Sequence, residues 1–184
     1  YCIALDGQGR AYVYREHCES GLIVSEAARA VAELAGCAGA NGCAGADGGE
    51  RIEAFFAPPD MWNRRQETGK SVAELFAEQG VYLAKANNDR VQGWYNVKEW
   101  LRPRLDVDGE KRAGLVVFRG CEHLIESMPA LLVDPRNPND VADEPHEYTH
   151  GPDAIRYFLA GRPRPAEVAV ERDEDYVPYD DQVN

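Results

Sequence analysis

The sequence predicts a mixed α/β domain, a sheet flanked by helices, and three observations predict it. Two short runs rich in β-branched and aromatic residues, "YCIALD" and "RAYVYRE", come first and are separated by "GQG", which signals a hairpin with a longer loop. Strand-like runs then alternate with stretches whose apolar residues recur at helical spacing. Of the 184 residues, 44% are hydrophobic and 28% charged, proportions that suit one soluble domain with a single core.

Each element follows from its own residues. "SGLIVSEAARAVAELAG" sets Leu22, Ile23, Ala27, Ala30, Val31 and Leu34 at helical spacing, with Gly36 as the stop. Residues 37–50 are rich in glycine and alanine and read as a loop within the domain, because the 36 residues before them are too few for a core of their own. "RIEAFFAPP" reads as a strand stopped by two prolines, "GKSVAELFAEQG" as a helix ended at Gly80, and "VYLAKA" as another strand. Asn87, Asn88 and Asp89 form the next turn, with Asp89 as N-cap of the helix "RVQGWYNVKEWLRPRL", which Pro103 ends. Trp94 and Trp100 lie six apart and do not share a face, so at least one belongs to the core. "AGLVVFRG" predicts a buried strand, "CEHLIESMPALL" a helix or turn, and "GPDAIRYFLAGRPRP" a last helix with Pro152 in its first turn. No internal repeat is visible. The domain is expected over residues 1–166, followed by an acidic tail, 167–184.

Composition narrows the function classes. No apolar run approaches the roughly 18 to 20 residues that cross a bilayer, and the start lacks the layout of a signal peptide, so an intracellular protein is expected. The five cysteines, at 2, 18, 37, 43 and 121, are odd in number and irregularly spaced, which suggests neither a disulfide framework nor a zinc site. A net charge of −12 argues against nucleic acid, whose phosphates call for Lys and Arg. The distribution weakens that objection: residues 167–184 carry seven acidic groups against one basic, whereas residues 51–112 carry 11 basic against 10 acidic. Any DNA contact is to be sought in that middle third.

"TGKS", residues 68–71, looks like half of a nucleotide-binding loop. A P-loop needs its first glycine five residues before Gly69, and that position is Arg64. The loop cannot close, and Lys70 and Ser71 read instead as the first turn of the helix through Val72, Leu75 and Phe76.

Three constellations remain. Asp60 follows a strand directly after Pro58 and Pro59, where ligands of open α/β sheets collect; the plainer reading is a turn or cap residue. His150 and Asp153, three apart at the start of the last helix, could present an imidazole and a carboxylate to one cation, or merely cap the helix and complement its dipole. His146 and His150, four apart, would suit zinc if a helix ran through them and further ligands joined. Arg64, Arg65, Lys85, Asn88, Arg90 and Lys98, with Arg102 beside them, could line a groove for a phosphate backbone, although scattered charge is commonly a solvated face.

"YCIALDGQGRAYVYRE", "APPDMWNRRQETGKSVAELFAEQG", "NNDRVQGW" and "THGPDAIRYFLAGRP" together resemble the C-terminal nuclease domain of the large terminase subunit of tailed bacteriophages. The resemblance covers about residues 1–165, and the last stretch is similar to that family's closing "D-H-x-x-D-A-L-R-Y" signature. It implies a ribonuclease H-like fold, a mixed central sheet flanked by helices. It also implies Mg2+- or Mn2+-dependent cleavage of double-stranded viral DNA in the host cytoplasm, at a two-metal site. The implied partners are an upstream ATPase domain of the same protein, the small terminase subunit and the portal. By position, Asp60, His150 and Asp153 take the catalytic and metal-binding roles. The family's usual Asp position holds Pro58 here, and Thr149 stands where Asp is frequent. The family's first-strand Asp is not in this sequence, Asp6 being a turn residue, so part of the first strand is expected to be missing. A non-catalytic DNA- or portal-binding module, a junction resolvase and a zinc hydrolase are the competing readings.

Overall fold

The computed structural model describes residues 1–36, 50–106 and 108–162. Most of the expected linker, with Cys37 and Cys43, and the acidic tail lie outside the described residues.

The opening hairpin joins β1 (Cys2–Leu5) and β2 (Ala11–Arg15), which are antiparallel. Its turn is organised by Asp6. One carboxylate oxygen accepts from the backbone N–H groups of Gln8 and Arg10, both at 2.9 Å, and the other from Arg10 Nε and the Tyr12 hydroxyl, both at 3.0 Å. These bonds, led by the Arg10 backbone N–H, hold the Asp6 carboxyl down at about 2. A folded-state value below the unfolded one, near 4, means that the unfolded chain binds the proton more readily. The turn's contribution is therefore complete above about pH 4 and is lost as the pH falls toward about 2. Denaturant midpoints measured from pH 5 to pH 2 are expected to drop for the native chain through that window, and Asp6→Asn should lack this component of the slope.

β2 also pairs in parallel with β7 (Leu115–Val117), Ala11 opposite Leu115 and Val13 opposite Val117. A separate parallel pair is formed by β3 (Phe55–Ala57) and β4 (Leu83–Lys85), connected through a single 3₁₀ turn, Pro59–Trp62, and α2 (Val72–Glu78). Two hairpins that the sequence patterns do not announce complete the strands: β5 (Arg104–Leu105) with β6 (Lys111–Arg112), and β8 (Val133–Asp134) with β9 (Asn137–Val141). The architecture is mixed α/β as expected, but among the described residues the strands form several small sheets and no single central one. β1 and β3 each pair on one side only.

The helices are α1 (Val24–Leu34), α2, α3 (Arg90–Leu101), α4 (Glu122–Ala130) and α5 (His146–Ala160). Asp89 caps α3 by accepting from Gln92 N–H at 3.0 Å. Glu16, just beyond β2, receives the N–H groups of His123 and Leu124 at 2.8 and 3.1 Å and so ties the hairpin to the start of α4. None of the helices among the described residues is long and apolar enough to cross a membrane.

"TGKS" is accounted for locally. Gly69 takes φ +67°, a left-handed conformation open to glycine. Ser71 caps α2: its hydroxyl accepts from Glu74 N–H at 3.1 Å while Glu74 returns a carboxylate to Ser71 N–H at 2.6 Å. Lys70 pairs with Glu78 at 2.5 Å. Serine is spent on the start of α2 and lysine on its last residue.

The main core joins Ala11, Val13 and Leu115 of the first sheet to Trp94, Val97 and Trp100 of α3, Leu124 of α4, and Ile155, Phe158 and Leu159 of α5. Both tryptophans are buried. A smaller cluster, Ala28, Phe76 and Val81, packs α1 and α2 against Phe55 and Leu83 of the second sheet. α5 links the two sheets, because the Phe158 ring also meets Phe56 of β3 edge to face, centroids 6.3 Å apart.

One helix boundary corrects the sequence reading. α5 begins at His146 after Pro145, five residues before the expected start, and Pro152 lies inside it. A proline there removes one i→i−4 bond, but Gly151 and Pro152 are buried in the packed turn, and tertiary contact outweighs the local signal.

Candidate functional site

The carboxyl ends of β3 and β4 gather most of the residues in question. β3 runs into Pro58 and Pro59, whose fixed φ stops the strand and opens the 3₁₀ turn. Asp60 is exposed in that turn. Ala57 is opposite Lys85 in the ladder, and Ala86 N–H donates to Ala57 carbonyl at 2.9 Å, so both strands end together. The Lys85 ammonium lies 5.8 Å from the centre of the Trp62 ring. β4 then leads through Asn87, Asn88 and Asp89 into α3.

α5 crosses this edge. Asn88 Oδ1 accepts from Arg156 Nη2 at 3.0 Å, and Arg156 Nε donates to Asp153 Oδ1 at 2.7 Å. Arg90, the first residue of α3, reaches the other Asp153 oxygen with Nη1 at 3.9 Å. Its Nε lies at 3.0 and 3.1 Å from the two oxygens of Asp140 on β9, and Nη2 meets Val141 carbonyl at 2.8 Å and Asp143 at 3.1 Å. Burial pushes the Asp140 carboxyl up, but the bonds and charge of Arg90, the Val141 backbone N–H and the charge of Arg156 together hold it below its ordinary value. The β8–β9 hairpin is thus clasped to the start of α3 and to α5.

Burial pushes the Tyr157 hydroxyl up; Arg156 pulls it down, and the charges of Asp153 and Asp60 push it further up. His150 does not join them by any bond. It is exposed and stacks on His146, centroids 6.0 Å apart and planes 19° from parallel. The helix that a zinc pair requires does run through both histidines, but among the described residues no three His, Cys, Asp or Glu side chains gather closely enough to hold a metal ion. The oxygen donors of Asp60 and Asp153 suit a hard cation such as Mg2+ or Mn2+.

The basic residues divide. Arg64 and Arg65 are exposed beyond the 3₁₀ turn, Arg64 3.7 Å from Glu74. Lys98 is exposed on α3. Arg90 is committed to three aspartates and Asn88 to Arg156, so these two are framework of the site. Arg156, Tyr157, Asp140 and Asp143 have places here that the sequence reading did not assign. Asp153 and Arg156 were legible as an i,i+3 pair; Asp140 lies on, and Asp143 just after, a hairpin that no pattern announced.

Compared with known proteins, the chain matches no family model, no curated protein and no solved structure.

Proposed function

We propose that this chain is the ribonuclease H-like nuclease domain of a tailed-phage terminase large subunit, cleaving double-stranded concatemeric DNA in the host cytoplasm with Mg2+ or Mn2+. The observation that supports the reading is the position of two acids at the carboxyl end of one parallel strand pair: Asp60 follows β3, and Asp153 is held by Arg156, which is bonded to Asn88 in the turn after β4. Asp60 and Asp153 would hold the cations, with His150 an accessory donor. Two bound cations would neutralise charge on the phosphate and activate a water. Arg64, Arg65, Lys85 and Lys98 would receive the DNA backbone, and Arg90 and Asn88 would act on it only indirectly through Asp153 and Arg156. The ATPase domain, small subunit and portal complete the proposed assembly.

A second reading, a non-catalytic DNA- or portal-binding module, draws on one observation: both oxygens of Asp153 face arginines. Incubating the full-length protein with supercoiled plasmid and Mn2+ separates the two. The nuclease reading expects nicking and linearisation that Asp60→Ala removes, and an Asp60→Ala protein that cuts as fast as the native one would sink the assignment.

A further inference from the structure

Arg156 is 0% exposed, and its guanidinium is only partly satisfied. Nε and Nη2 are bonded to Asp153 and Asn88, while Nη1 has no hydrogen-bond partner among the described residues. The group lies 4.4 Å from the centre of the Tyr157 ring and 5.7 Å from that of Trp94. α3 makes room for it with Gly93, where a Cβ would fall 2.7 Å from Arg156 Cγ. A buried donor left unpaired is destabilising, and apolar side chains frequently replace a buried ion pair without loss of stability. Stability alone is a poor reason for a guanidinium here.

Its geometry supplies a better one. The planar fork grips a residue of its own helix and a residue of the turn after β4, so the Asp153 carboxylate is held against a second element. Oδ1 is taken. Oδ2 is the oxygen left over, with Arg90 3.9 Å away and itself held by Asp140 and Asp143.

We propose that Arg156, seated on Asn88, is the positioning residue for Asp153, fixing its carboxylate so that Oδ2 is presented to a divalent cation. This rests on the nuclease reading and extends it to the group that orients one ligand. Partners that orient a metal ligand commonly contribute 10- to 100-fold in metal affinity. A lysine keeps the charge but is a point donor on a flexible stem and cannot grip both oxygens in one plane.

The test uses the full-length, nucleotide-free protein and Mn2+ as the probe. Binding is followed by electron paramagnetic resonance, alongside thermal unfolding and plasmid cleavage against Mn2+ and DNA concentration. Arg156→Lys should keep a cooperative transition and require roughly 10- to 100-fold more Mn2+ for half-saturation in binding and in cleavage, with the dependence on DNA concentration unchanged. A purely structural role would lower the melting temperature and leave the Mn2+ dependence alone, which overturns the proposal. Should Arg156→Lys not fold, Asn88→Ala, at an exposed turn position, decides: a rise in half-saturating Mn2+ supports the bracket and an unchanged value overturns it. Asp153→Asn is the reference. Native protein whose Mn2+ site depends on Asp153 and weakens in Arg156→Lys, yet cuts no plasmid, sinks the nuclease reading and leaves the bracket standing. Native protein without a Mn2+ site sensitive to Asp153→Asn sinks both.

Discussion

Asp60→Ala and Asp153→Ala are expected to abolish DNA cleavage alike and to differ sharply in stability. Asp60 is an exposed carboxylate in a surface turn, and exposed substitutions of this kind usually change stability by no more than about 0.5 kcal/mol. Under the proposed nuclease function its contribution to chemistry would be of another order. A carboxylate that holds a catalytic cation governs several kcal/mol of charge stabilisation, so a loss of more than about 100-fold in cleavage rate is expected. Asp153 is different, because its side chain is 23% exposed and neutralises an arginine that is 0% exposed. Removing it leaves a buried cation with Asn88 as its remaining hydrogen-bond partner among the described residues. Breaking a buried pair in this way costs about 3–5 kcal/mol, discounted here to roughly 3 because Asp153 is partly solvated. For a chain of this size that is roughly 6–12 °C in melting temperature. Calorimetry of the two variants beside plasmid cleavage checks both halves. Equal melting temperatures would mean that Arg156 is compensated by some other group; an Asp60→Ala protein that melts well below the native one would mean that the turn after β3 is structural.

That contrast was hidden in the sequence, and the reason is physical. The elements with strong local signals were legible: the Asp6 turn, the Asp89 cap, the Gly80 stop and the periodic face of α1 all depend on neighbours within about five residues. Asp60 could be placed at the end of a strand because two prolines stop the chain there. The start of α5 was misread because Pro152 and Gly151 look like a helix beginning, whereas burial of that turn carries the helix back to His146. The arginine clasp had no local signature at all. Arg90 meets Asp140 and Asp143 across about 50 residues, and Arg156 meets Asn88 across 68; a charge whose partner is that distant looks like any solvated charge. For the same reason Arg90 and Asn88 were counted among DNA contacts, although both are occupied within the fold.

Leu159→Ala is expected to lower stability by about 2–5 kcal/mol, the range for a buried leucine truncated in a core that cannot collapse onto the gap. Leu159 is 0% exposed and lies with Ile155 in the face of α5 that meets the first sheet and α3. Collapse is resisted locally. Asn96 of α3, itself buried, donates to the Leu159 carbonyl at 3.1 Å, and Trp100 Nε1 donates to the Arg162 carbonyl at 2.8 Å, so the end of α5 is pinned to α3 by bonds to its backbone that the truncation of Leu159 leaves in place. The Arg162 guanidinium, 4.1 Å from the Phe158 ring and 4.9 Å from Phe56, holds the same end against β3. With both flanks fixed, the cavity stays open and the penalty approaches the upper half of the range. Denaturant unfolding checks it, and a loss below about 1 kcal/mol would show that α5 relaxes. The functional consequence separates scaffold from site: Asp153 and Arg156 stand on the preceding turns of the same helix, so below its melting temperature the Leu159→Ala protein should cleave at the native rate per folded molecule, with unchanged Mn2+ dependence. A shifted Mn2+ requirement in this variant would mean that the carboxylate is positioned by the packing of α5 as a whole and not by the Arg156 bracket.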